Sequence, residues 1–151
     1  MRKFSTPTAA LIVFAAVALL TTYRAAAAEL TVIVTNLAVQ TGNMKAALYD
    51  EPKQFPKGKK LEGQKTPARD KEVKFVFKNL TPGKRYAIAV YHDENGNDEF
   101  DQAFLGFPLE GFGFSRNAGV LSGAPDFSDC DFEMKGKAME IRIKLKHSVF
   151  D

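Results

Sequence analysis

Met139-Glu140-Ile141-Arg142-Ile143-Lys144-Leu145-Lys146 alternates apolar and charged residues without a break. A period of two marks a strand with one buried and one wet face, because successive Cβ atoms point to opposite sides of a pleated chain. The same period recurs upstream. Leu30 to Leu37 is rich in Val, Ile and Thr, and Met44, Ala46 and Leu48 alternate with Lys45, Ala47 and Tyr49. Val73, Phe75 and Phe77 stand opposite Lys74 and Lys78, while Tyr86, Ile88 and Val90 face away from Ala87 and Ala89. Asp129 to Met134 reads as a further strand, with Cys130, Phe132 and Met134 inward. No amphipathic helix competes with these runs.

Turn chemistry separates the strands. Gly42-Asn43 and Lys135-Gly136-Lys137 mark reversals, and Pro82-Gly83 suits a type II turn, since Pro fixes φ and Gly accepts a positive φ. About seven short strands, each with one apolar face, predict an all-β fold: an antiparallel two-sheet sandwich with Greek-key connections. Between Asp50 and Asp70 the alternation stops, and five Pro and Gly residues interrupt a lysine-rich run. This is expected to be a long solvated loop anchored by Phe55, with a contact surface for an acidic partner as the other reading.

The start of the chain has the layout of a secretory signal peptide: basic Arg2-Lys3, an apolar run from Ala9 to Leu20, and small residues Ala26-Ala27-Ala28 before Glu29. The run is too short for a membrane span of roughly 20 residues, so residues 1–28 are expected to be cleaved without stable membrane insertion. Residues 29–151 then form a single domain, periplasmic or secreted. The leader removes Arg2, Lys3 and Arg24, which lowers Lys+Arg from 21 to 18 against 18 Asp+Glu. A formally neutral domain lacks the charge that nucleic acid would need in a protein partner. The single cysteine, Cys130, closes no internal disulfide and is expected to be packed and inert.

Chemistry concentrates in Asp93-Glu94-Asn95-Gly96-Asn97-Asp98-Glu99-Phe100-Asp101. Calcium takes six to eight oxygens, and a loop folding tightly around it presents positions 1, 3 and 5 inward, a carbonyl from position 7 and often a water-bridged residue at 9. Asp93, Asn95, Asn97, Glu99 and Asp101 fill those places. The helix-loop-helix calcium motif is not matched, because position 6 is Asp98 instead of Gly and position 12 is Phe104 instead of Glu. A closing carboxylate must come from elsewhere. Glu110 is the first candidate, with Asp126 and Asp129 behind it. The alternative is an acidic Asn/Gly-rich turn capped by its own side-chain hydrogen bonds.

The run Val90-Tyr91-His92-Asp93-Glu94-Asn95-Gly96-Asn97, followed by Leu105-Gly106-Phe107-Pro108-Leu109-Glu110-Gly111-Phe112-Gly113-Phe114-Ser115-Arg116-Asn117-Ala118, closely resembles the domain-of-unknown-function family numbered 2141, exported bacterial proteins. The resemblance covers nearly all of residues 29–151 and implies a prealbumin- or transthyretin-like β-sandwich. It implies no activity. More distantly, a strand running into an Asp-x-Asn-x-Asn loop is similar to the calcium-binding B-type repeats of bacterial surface adhesins, a likeness of fold alone.

The expected function is therefore non-enzymatic: calcium held by Asp93, Asn95, Asn97, Glu99, Asp101 and Glu110 orders a surface that binds a protein or glycan partner. Two alternatives stand beside it. One is a small periplasmic hydrolase centred on His92, Asp93 and Ser115, although no strand-turn-helix elbow or oxyanion hole surrounds Ser115. The other is a carbohydrate- or envelope-binding accessory module that stacks sugars on Phe100, Phe104, Phe107, Phe112 and Phe114, residues otherwise expected to anchor their own loop.

Overall fold

The structure is a computed structural model that describes residues 27–120 and 123–150. The expected leader, residues 1–28, lies outside this range except for Ala27 and Ala28. Eight strands form two sheets: β1 (Ala28–Thr35), β4 (Val73–Leu80) and β8 (Ala138–Lys144) in one, and β2 (Asn43–Tyr49), β3 (Glu62–Pro67), β5 (Arg85–Asp93) and β6 (Phe112–Phe114) in the other, where the short β7 (Phe132–Glu133) also pairs with β5. The all-β two-sheet sandwich is thus the observed architecture. β4 returns to lie beside β1, as in a Greek key.

The core follows from the period of two. In the β4-β1-β8 sheet the register sets Phe77 and Met139 against Leu30, Phe75 and Ile141 against Val32, and Val73 and Ile143 against Val34. These rows face Met44, Ala46 and Leu48 of β2 and Tyr86, Ile88 and Val90 of β5 across the sandwich. Phe75, Phe77, Leu30, Leu48 and Ile88 are wholly enclosed. Removing one such ring typically costs about 3–5 kcal/mol.

Four details differ from the reading of the sequence. First, β1 and β8 run parallel, whereas every other strand pair is antiparallel. Alternation reveals which face of a strand is buried and is blind to its direction. Second, the lysine-rich connection holds a strand, β3, paired with β2. Its half-buried positions are Glu62, Gln64 and Thr66, so no apolar alternation betrays it. Gln64 instead donates from Nε2 to the Val76 carbonyl at 2.8 Å, which ties this edge strand to the opposite sheet. Lys65 and Pro67 blunt the edge against further pairing. Phe55 anchors the remaining loop as expected, with edge-on contacts to Tyr49, Phe114 and Phe127 at 5.3, 5.8 and 6.0 Å.

Third, the run from Asp129 to Met134 begins as a helical turn, α1 (Phe127–Cys130), before β7. The backbone N–H of Asp126 donates to Asp129 Oδ2 at 3.3 Å, a capping-box contact that favours a helix start. Cys130 is nonetheless buried, and that burial pushes its thiol up to about 12, far from a thiolate at neutral pH. Fourth, the aromatic loop after the acidic stretch contains a strand, β6. Gly113 is required there, because a Cβ would come within 2.7 Å of Ile143 Cγ2 in the core.

A candidate cation site at the exit of β5

β5 delivers His92 and Asp93 to the rim of the sandwich, both with no exposed surface. The chain then reverses through a loop organised by its own side chains. Asn95 Oδ1 accepts the Asn97 N–H at 2.9 Å, Asn97 Oδ1 accepts the Glu99 N–H at 2.9 Å, and Asp93 Oδ2 accepts the Asp98 N–H at 3.1 Å. The 1-3-5 spacing therefore produces three side-chain oxygens that each cap a backbone amide. The carboxamides of Asn95 and Asn97 donate to Asp101, at 2.6 Å and at 3.1 Å to each oxygen. Asp98 sits at φ 69°, the left-handed conformation that glycine usually provides at this sixth position, and Asp tolerates it better than most residues.

Glu110 lies at the closure of the loop and is only 5% exposed. Its Oε1 accepts the Glu94 N–H at 3.0 Å and its Oε2 the Asp101 N–H at 3.1 Å, so one carboxylate clamps both ends of the acidic segment. Burial raises the Glu110 pKa above its ordinary value, an effect that these two amides partly oppose. Five of the six expected ligands, Asp93, Asn95, Asn97, Asp101 and Glu110, thus belong to one hydrogen-bonded unit. Glu99 is exposed and contributes its backbone N–H. Asp126 and Asp129 are absent from the unit: they pair at α1, near the Arg85 end of β5, which is eight residues or roughly 26 Å along the strand from Asp93.

Two lysines and Asp98 complete the electrostatics, and none of the three was expected. Lys45 Nζ lies 2.7 Å from Asp98 Oδ1 and 3.4 Å from Asp93 Oδ2, and Lys65 Nζ lies 2.6 Å from Asp98 Oδ1. Hydrogen bonds from Lys45 and then Lys65 hold the Asp98 carboxyl down at about 2. Burial is the largest single influence on the Lys45 ammonium and works against it, but the combined attraction of Asp98 and Tyr91 outweighs this and the net shift is upward. The alternation of β2 places Lys45 on the outer face. Only the register, Lys45 opposite Tyr91 and Lys65, brings it to the loop.

Among the described residues, two buried side-chain polar atoms lack a hydrogen-bond partner: Asp93 Oδ1 and His92 Nδ1. His92 Nε2 lies 2.7 Å from the Thr41 carbonyl, which can only accept, so Nε2 carries the proton. Glu94 Oε1 stands 3.6 Å from the free Nδ1. Ser115 is committed elsewhere: its hydroxyl donates to the Cys130 carbonyl at 2.6 Å and accepts the Ile88 N–H at 2.9 Å. Ile88 is four residues, roughly 13 Å, along β5 from His92. The His92–Ser115 pairing that the hydrolase alternative needs therefore does not form, and the two side chains serve separate structural bonds. Among the described residues, no three His, Cys, Asp or Glu side chains are grouped to hold a metal, so an ion at this loop would draw on Asn and carbonyl oxygens as well.

The phenylalanines divide. Tyr91, Phe100, Phe112 and Phe114 form a continuous series of ring contacts at 5.4, 6.1 and 6.3 Å. Phe104, Phe107 and Leu109, in the segment between Asp101 and Glu110, are 90, 47 and 66% exposed. That segment is nevertheless ordered by backbone bonds, including Leu109 N–H to the Asp101 carbonyl at 3.0 Å and Ala103 N–H to the Phe107 carbonyl at 2.7 Å.

No curated protein and no solved structure matches the chain. Residues 32–142, running from β1 into β8 and including both the acidic loop and Glu110, match the family described as "uncharacterized protein conserved in bacteria (DUF2141)", and the chain belongs to that family.

Proposed function

We propose that this is an exported, periplasmic or secreted, non-enzymatic β-sandwich in which the 93–101 loop takes a calcium ion. The ion rigidifies the adjoining 101–110 segment as a binding surface for a protein or glycan. The observation that carries the reading is Asp93 Oδ1, a carboxylate oxygen with no exposed surface and no partner at the mouth of an oxygen-rich loop. An unsatisfied buried polar group costs about 1–3 kcal/mol, and more when charged, which a divalent cation would relieve. Asp93, Asn95, Asn97 and Asp101 would supply side-chain oxygens and Glu99 its carbonyl. Glu110, with both oxygens on amides, would hold the loop's ends and lend its remaining lone pairs. The exposed Phe104, Phe107 and Leu109 support the surface role, since clustered apolar side chains on an ordered loop mark interaction sites.

One observation favours a second reading. Lys45 already brings an ammonium within 3.4 Å of Asp93 and 2.7 Å of Asp98, so the loop could be neutralised by its own lysines and need no ion. Lys45→Gln separates the two. Thermal melting of the protein is followed in calcium and in chelator. The calcium reading expects a higher Tm in calcium, a larger calcium increment for Lys45→Gln because a competing cation is gone, and no increment for Asp93→Ala with Asp101→Ala. If calcium shifts neither wild type nor Lys45→Gln and calorimetry detects no uptake, the ion reading fails and the internal-cation reading stands.

A further inference from the structure

The outer face of the β3-β2-β5-β6 sheet contains a groove that no part of the proposed ion site explains. The register aligns Gly63, Ala47, Ala89 and Phe114 in one row across four strands. The neighbouring row reads Lys65, Lys45, Tyr91 and Phe112. Residues directly opposite one another share a face of the sheet, so three adjacent strands here carry nothing larger than a methyl group. Tyr49, with Phe55 packed edge-on against it, bounds the other side. The result is a trough with a flat floor between aromatic walls, at the centre of a half-open cavity of about 960 Å³. That is within the usual size range of small-molecule sites, roughly 300–1,000 Å³.

The floor is accessible: Ala47 and Ala89 are partly exposed, although both lie mid-strand in interior strands. Small residues in that position are costly for stability, because β-branched or aromatic residues fill a sheet face better. Gly63 is the end of the row, and Lys60 lies directly over it, with Nζ 2.8 Å from where a Cβ would stand. Lys57 and Lys59 line the same mouth. Among the described residues none of these three lysines has an ion-pair partner, whereas Lys45 and Lys65 are both engaged by Asp98. An apolar trough with unpaired ammonium groups at one end is complementary to a molecule with an apolar body and an acidic head.

We propose that the trough binds a small amphipathic anion, its flat apolar body on Ala47 and Ala89 against the aromatic wall, and its acidic group at Lys60, whose side chain lies over Gly63. The floor selects flatness, because the two alanine methyl groups leave a shallow, even surface. The lysine mouth selects charge and sets orientation. Calcium takes no part in this site, so it stands or falls apart from the ion reading.

The test uses the full chain and two fluorescent probes of similar shape, 1-anilinonaphthalene-8-sulfonate and the uncharged N-phenyl-1-naphthylamine. Both are expected to bind saturably at one site per folded chain, the sulfonate more tightly. Lys60→Gln should weaken the sulfonate about threefold, and the combined Lys57, Lys59 and Lys60→Gln variant about tenfold, with the neutral probe unchanged. Ala47→Phe should weaken both probes at least tenfold, with circular dichroism preserved and the calcium-dependent melting behaviour unaltered; Ala89→Leu serves if Ala47→Phe does not fold. Absence of saturable binding to the native chain overturns the proposal. So does undiminished binding to a folded floor variant, or a lysine variant that weakens both probes alike.

Discussion

A buried acid sits at each end of β5, Asp131 beside it and Asp93 within it, and the two are treated differently. At the Arg85 end, Asp131 meets a guanidinium through two bonds, Arg85 Nε to Oδ2 and Nη2 to Oδ1, the latter at 2.8 Å, with Arg116 Nη1 3.8 Å away. At the other end, Asp93 has one oxygen on the Asp98 amide and near Lys45, and its second oxygen has no partner. A planar fork satisfies a carboxylate completely, whereas a single ammonium on a flexible stem does not. The first end is a finished clasp. The second retains an acceptor oxygen without a partner, and that difference is why the second is the place to look for a ligand.

The largest test of the comparison is at Glu110. Replacing it with Ala strips the acceptor from two amides at the loop's ends, and the stability measured by urea unfolding should fall by about 3 kcal/mol. Glu110→Gln keeps one carbonyl oxygen and should lose about half as much. Equal, negligible effects in both variants would mean that the clamp does not hold the loop. A smaller effect is expected at Asp93→Asn, which preserves shape and removes the charge: ion-free stability should change by less than about 1 kcal/mol, because the deleted charge was only partly satisfied. The calcium increment in Tm should disappear in the same variant. A large loss of ion-free stability would show the Asp93 end to be as closed as the Asp131 end.

The smallest effect is the pH dependence of the finished clasp. Arg85 beside it holds the Asp131 carboxyl below its ordinary value, against the opposing influence of burial. A folded-state pKa below the unfolded one, about 3.9, gives stability that is fully present above that value and is lost as pH falls through the folded pKa. Urea midpoints of wild type and Arg85→Gln should therefore differ at pH 7 and converge below about pH 4. A gap that persists undiminished to pH 2 would assign the Arg85 effect to packing instead of charge.

Much of this architecture was readable in the chain. The rows Phe77–Leu30–Met139 and Phe75–Val32–Ile141 are the alternation itself, folded across a sheet. The 1-3-5 placement of Asp93, Asn95 and Asn97 became three capped amides, and Glu110 was found at the loop from sequence position and charge alone. What escaped did so for physical reasons. β3 turns polar residues inward, and its partner is a carbonyl in another sheet, so it has no apolar signature. Lys45 and Lys65 reach the acidic loop through strand pairing, which no local pattern encodes. The trough is invisible for the same reason: Gly63, Ala47 and Ala89 are unremarkable until the register sets them in one line.

The parallel partnership of β1 and β8 has a kinetic meaning. β1 is the middle strand of its sheet, and one whole side of it is completed by β8, more than a hundred residues later. The Asn36 side chain likewise waits for the Leu145 carbonyl, 109 positions away. Contacts of such long range close late and fold slowly. During synthesis β1 must therefore remain without this neighbour until residues 138–144 have been made, and the domain cannot finish assembling from its N-terminal end.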